Sequence, residues 1–178
     1  MPRTDPDIAA PRLDAGMSDH SGPGDDFAPL SRDRMPVRSM VEDDLPAIIG
    51  IDRRLTGRER AAYFERKLAE VMSESGIRMS LIAEVDGSPA GFVMARVDFG
   101  EFGLAEPVAV LDTLGVDPDQ AHYGIGHALL SQLCTNLATL QVETIRTMVR
   151  WDSFELLRFL DGCGFAPAQR IVLTKRVD

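Results

Sequence analysis

The run Gly115-Val116-Asp117-Pro118-Asp119-Gln120-Ala121-His122-Tyr123-Gly124-Ile125-Gly126-His127-Ala128-Leu129-Leu130 constrains this chain more than any other stretch. It reads as the end of a strand, a short glycine-punctuated loop and the opening of an apolar helix. Such a junction makes an anion site from backbone alone. The first amides of a helix have no intrahelical acceptor, and the helix dipole adds partial positive charge at the same place. Gly124 and Gly126 remove Cβ atoms that would hold a phosphate away from those amides. A dinucleotide fingerprint, G-x-G-x-x-G, does not fit, because Leu129 occupies the third glycine position.

Around this junction the pattern alternates between strands and helices. Pro36 to Met40 reads as a short strand. Glu42-Asp43-Asp44 places negative charge at a helix start, with Pro46 in the first turn and Leu45, Ile48 and Ile49 on the apolar face. Thr56-Gly57 stops that helix, and a second runs from about Glu59 to Ser75 on Ala62, Leu68, Val71 and Met72. Met79 to Val85 and Ala90 to Val97 form a hairpin about Asp86-Gly87-Ser88-Pro89. Pro107 to Val116 is a central strand, followed by a helix from Gly124 to Leu140. Glu143 to Trp151 alternates as a strand with Ile145, Thr147, Val149 and Trp151 on one face. A helix from Ser153 to Asp161, the pair Gly164-Phe165 and a strand from Arg170 to Arg176 complete the chain.

Residues 1–35 are rich in Pro, Asp, Ser and Gly, with one aromatic residue, Phe27. They bury too little apolar surface to offset their ordering entropy and read as a disordered tail; residues 36–178 form a single α/β domain. A net charge of −9 argues against nucleic acid as a partner. It is compatible with a cationic amine substrate, though a solvated acidic surface explains it equally. No apolar run is long enough to span a membrane, and the N-terminus lacks the apolar core of a secretory signal. Cys134 and Cys163 have no metal-ligand spacing and suit a reduced, cytoplasmic protein, and His20, His122 and His127 form no metal constellation.

The spacing Val116-x-Pro118, Ala121, then Gly124-Ile125-Gly126 before an apolar helix resembles the acetyl-CoA motif of the GNAT superfamily of N-acetyltransferases. The resemblance covers about Val37 to Lys175. It implies the GNAT fold, a mixed, mostly antiparallel central sheet flanked by helices. It also implies acetyl-CoA as acetyl donor, with no metal. The pyrophosphate would lie on Ala121, His122, Tyr123, Gly124, Ile125, Gly126, His127 and Ala128. The amides of Leu114 and Val116 would face the pantetheine arm on a strand splayed from its neighbour, and Asp152 or Ser153 would stand where the family usually has Asn, with Ser153 the candidate for the coenzyme. The acceptor would be an amine on a small molecule or a protein, and homodimers are common among relatives.

Direct acetyl transfer needs the ammonium deprotonated, the thioester oxygen stabilised and the departing thiolate quenched. Asp112, a carboxylate within the apolar strand Val110 to Val116, is the candidate base, because desolvation raises a carboxylate's pKa. A local hydrogen bond or an arginine partner is the alternative role, and Glu84 is a reserve candidate. The family's usual general-acid tyrosine is replaced by Leu160, which has no proton to give. Tyr123, Ser153 or water are the substitutes. Ala121 stands where the family prefers Arg or Gln, removing a contact worth about 1–3 kcal/mol. These departures leave open an acyl-CoA-binding regulatory module with weak or no catalysis. Within the cationic run Arg53 to Arg60, Arg54 and Arg58 are candidate acceptor ligands, against a solvated junction of ion pairs. Tyr63 and Phe64 read as core or wall residues, and Trp151 as a residue that packs rather than binds.

Overall fold

Alternate residues of the central strands go to opposite cores, which is what a sheet covered on both faces requires. A computed structural model of the protein describes residues 35–72, 77–99, 106–121, 123–169 and 172–177. Five strands, β1 (Val37–Ser39), β2 (Arg78–Val85), β3 (Ser88–Asp98), β4 (Val108–Val116) and β5 (Thr144–Arg146), lie in that order in one sheet. All neighbours are antiparallel except β4 and β5, which are parallel. Four helices flank them: α1 (Leu45–Thr56), α2 (Ala61–Met72), α3 (Ile125–Thr139) and α4 (Phe154–Gly162).

Ile125, Leu129, Leu133 and Leu137 form the buried stripe of α3 and meet Leu81, Ala83, Val93, Ala95 and Leu111 on one face of the sheet. Ile48 and Ile51 of α1 and Phe64 of α2 meet Ile82, Phe92 and Met94 on the other. Each such side chain removed from water contributes about 1.5–3 kcal/mol. The α1 stop is as expected: Gly57 adopts φ 65°, and its N–H donates to the Arg53 carbonyl at 2.9 Å.

The β2–β3 turn is tighter than expected. Asp86 and Gly87 alone make it, both with positive φ, and Ser88 already pairs with Val85. Positive φ at both central residues is what a two-residue hairpin demands, and Asp-Gly supplies it. The strand expected over Glu143 to Trp151 is regular only over Thr144–Arg146. Beyond it the Thr147 hydroxyl donates to the Leu111 carbonyl at 3.0 Å, so a side chain closes the ladder where the two strands part. Trp151 lies past this point and is 82% exposed, not packed. Residues 172–177 carry no strand, and Arg170 and Ile171 lie outside the described residues. So does the expected tail, except for Met35, and so does the end of the second expected helix over residues 73–76. No described helix is long and apolar enough to cross a membrane.

Candidate functional site

The sheet opens at the centre of the molecule. Pairing between β4 and β5 ends at Val110 and Arg146, yet β4 continues to Val116. On its other side β4 stays paired with β3, where Leu114 faces Val93 and Val116 faces Gly91. Asp117 extends that register by donating its N–H to the Ala90 carbonyl at 2.8 Å. Bonded and non-bonded pairs alternate along an antiparallel ladder. Leu114 and Val116 therefore turn their N–H and C=O groups away from β3, toward the opening.

The loop beyond β4 leads to a second set of unpaired donors. Asp117 caps the short 3-10 turn Pro118–Gln120 by accepting from the Asp119 N–H. Ala121 is extended, and Gly124 enters α3 with φ 77°, a left-handed conformation suited to glycine. The first intrahelical bond runs from the Ala128 N–H to the Gly124 carbonyl at 3.0 Å. The amides of Ile125, Gly126 and His127 thus precede any intrahelical acceptor. Tyr123 and His127 are exposed, and the His127 ring stands edge-on to Phe159 at 5.1 Å. Ile125 and Ala128 are buried, so they offer backbone alone. His122 lies outside the described residues.

Gly126 also has a packing role. A Cβ there would meet Phe159 Cζ at 2.8 Å and Cε2 at 3.0 Å. Its missing side chain lets α4 approach α3. Ser153 sits at the start of α4, partly buried, with its N–H on the Arg150 carbonyl at 3.0 Å.

A cleft of about 200 Å³ adjoins the opening, with Arg60, Tyr63, Asp112, Leu114, Met148, Leu156 and Leu160 among its walls. Asp112 is the extra residue of a β-bulge: Met94 faces Thr113 and Ala95 faces Leu111. A bulge re-aims a side chain out of the regular alternation. Its setting is cationic and not the apolar one expected. Asp112 Oδ2 accepts from Lys67 Nζ at 2.9 Å, and Oδ1 accepts from Arg96. The pairs extend in both directions. Arg96 Nε lies 3.0 Å from Asp98, which also binds Arg146 at 3.2 Å, while Lys67 approaches Glu70, itself 3.0 Å from Arg78. Burial works against the Arg96 charge, but Asp112 and Asp98 outweigh it and hold that guanidinium above its ordinary pKa.

Arg60, just ahead of α2, and Tyr63, Lys67 and Glu70 on it recur at helical spacing, and Lys67 and Glu70 join this network. That polar stripe is the signal by which the cleft wall was findable in the sequence. The two candidate acceptor ligands part company. Arg54 pairs with Asp117 through two hydrogen bonds, bracing α1 against the loop. Its neighbour Arg58 is exposed and makes no side-chain ion pair among the described residues. Glu84, the reserve base, is occupied by Arg38, which also forks onto Asp44.

Comparison with known proteins adds to this geometry. The family model described as "Acetyltransferase (GNAT) family" matches residues 45–165. The ribosomal protein bS18-alanine N-acetyltransferase of Escherichia coli K12 is 27% identical over 132 residues, covering 74% of this chain and 81% of that protein. An acetyltransferase of Pectobacterium atrosepticum is 30% identical over 147 residues, covering 80% and 96% respectively. Among solved structures, AAC(6')-Iy in complex with the bisubstrate analogue CoA-S-monomethyl-acetylneamine superposes with a TM-score of 0.69 at 18% identity. It covers 81% of this chain and 99% of that one.

Proposed function

The chain belongs to the GNAT acetyltransferase family and is an acyltransferase that moves acetyl to an amine, and we propose that it takes acetyl from acetyl-CoA held along the open edge of β4 and at the start of α3. The observation that carries this reading is the run of β4 past its last β5 partner, with the Leu114 and Val116 amides turned to the opening. A solved structure of the same fold, the aminoglycoside N-acetyltransferase AAC(6')-Iy, is a complex with CoA, which supports this reading. The Leu114 and Val116 amides orient the acyl-bearing arm, and the Ile125, Gly126 and His127 amides take the pyrophosphate without an arginine at Ala121.

Asp112 is the proton acceptor. It is the one carboxylate among the described residues lining the cleft. Lys67 and Arg96 fix both its oxygens. A carboxylate has about four acceptor sites, so an incoming ammonium still finds lone pairs to bind. The acceptor is an amine on a small molecule or a protein, the two classes named for relatives. A homodimer is part of this reading, and sedimentation equilibrium tests it. The free cysteines Cys134 and Cys163 support a cytoplasmic location.

Thiol release from acetyl-CoA across a panel of amines tests the activity, and Asp112→Asn tests the base. The variant should lose about 100-fold or more in turnover while keeping acetyl-CoA affinity. Unchanged turnover would remove Asp112 from the role.

A further inference from the structure

Tyr63 reads from the sequence as a core or wall residue, and its hydroxyl stands at the wall of the cleft. The oxygen lies 2.9 Å from the Thr113 hydroxyl, next in the chain to Leu114, whose amide faces the opening. Leu160, where the chain lacks a proton donor, is a wall of the same cleft. We propose that Tyr63, presented from α2, protonates the leaving sulfur in place of a donor at position 160, which presupposes acetyl transfer at this cleft.

Elimination among the lining groups supports the assignment. Arg60 is engaged by Asp52 through two hydrogen bonds, and that carboxylate holds the guanidinium above its ordinary pKa. The Thr147 hydroxyl is spent on the Leu111 carbonyl. Asp112 receives a proton and does not supply one. Thr113 is an alcohol, far too weak an acid to protonate a thiolate. A phenol has a reference pKa of about 10 against about 8.5 for a thiol, the nearest match in the cleft. The ring is also held in place. Arg60 lies over it at 5.5 Å and Lys67 at 6.0 Å, while Phe64 meets it edge-on at 5.1 Å. With Thr113 as donor to its oxygen, Tyr63 keeps its own proton for the sulfur.

The step balances. The amine nitrogen forms the C–N bond to the acetyl carbon, and its surplus proton passes to Asp112. The C–S bond breaks with both electrons going to sulfur. Sulfur takes the phenol proton to leave as the thiol, and solvent reprotonates the phenolate.

The test needs no acceptor. CoA and desulfo-CoA, which lacks the sulfur, are titrated calorimetrically into wild type and Tyr63→Phe at pH 7 and pH 9. The variant keeps the ring and its packing. A hydroxyl donating to the sulfur favours its thiolate, so the wild-type preference for CoA over desulfo-CoA should grow about tenfold as the thiol ionises, one pKa unit's worth. In Tyr63→Phe the preference should stay level. An equal rise in the variant overturns the assignment alone. Absence of CoA binding to either protein overturns the acetyl-transfer reading and Tyr63's role together.

Discussion

Gly115→Ala should destabilise the protein by about 1–2 kcal/mol, through a collision in the core and not through loss of backbone freedom. A Cβ at this position falls 2.6 Å from Phe92 Cε1, 2.8 Å from Phe92 Cζ and 3.2 Å from Leu55 Cδ1. Phe92 is fully buried and stands edge-on to Phe64, also fully buried, with centroids 5.6 Å apart. The ring has no free space to turn into. Overpacking of this kind costs about 1–3 kcal/mol, from which the restricted unfolded chain of alanine returns roughly 0.5–1 kcal/mol. Urea denaturation reads the difference, with an unchanged slope showing that the two-state transition is preserved. Phe92→Leu, which removes the obstructing ring edge, should cancel most of the penalty in the double variant. A Gly115→Ala protein as stable as wild type, or an undiminished penalty beside Leu at position 92, would refute the reasoning.

Three further outcomes follow from named contacts. Arg38 holds the buried Asp44 carboxyl below its usual range. The stabilisation is therefore present above the unfolded value of about 3.9 and is lost as pH falls through the lower folded one. Asp44→Asn should cost about 1–3 kcal/mol at pH 7 and progressively less as the pH falls below about 4, as measured by thermal melts. Burial, assisted by nearby Cys134, pushes the Cys163 thiol up to about 11. Its alkylation by iodoacetamide at pH 8 should be about 100-fold slower than that of free cysteine, with the rate still climbing past pH 10. Arg54→Met should change stability by less than about 1 kcal/mol, because the side chain is half exposed. It should weaken acetyl-CoA binding by loosening the loop at Asp117; a raised acceptor KM with coenzyme affinity intact would instead return Arg54 to the acceptor site.

What the sequence disclosed divides by distance along the chain. The strand–loop–helix junction from Gly115 to Leu130 is contiguous, so its residue types and spacing carry the backbone geometry. The hairpin and the α1 stop are local in the same sense, each turning on one glycine. Ion-pair partners are not local. Asp112 was legible as a carboxylate in a strand, but Arg96 is 16 residues away and Lys67 is 45. Arg54 meets Asp117 across 63 residues. Gly126 is legible only in part, because a glycine at a helix start suits a close anion and a close helix equally, and the Phe159 ring that packs on it lies 33 residues on. Alternation over Glu143 to Trp151 suggested a full strand, since the Thr147 side chain that ends the pairing leaves no mark on periodicity.

The central claim is that the coenzyme lies on two sets of backbone amides, those of Leu114 and Val116 and those of Ile125 to His127. Titrating the 15N-labelled protein with acetyl-CoA and following its amide resonances tests this directly. Large, saturable shifts concentrated at these five amides, not reproduced by NAD, are the expected result. Absence of binding, or shifts confined to other parts of the fold, would contradict it.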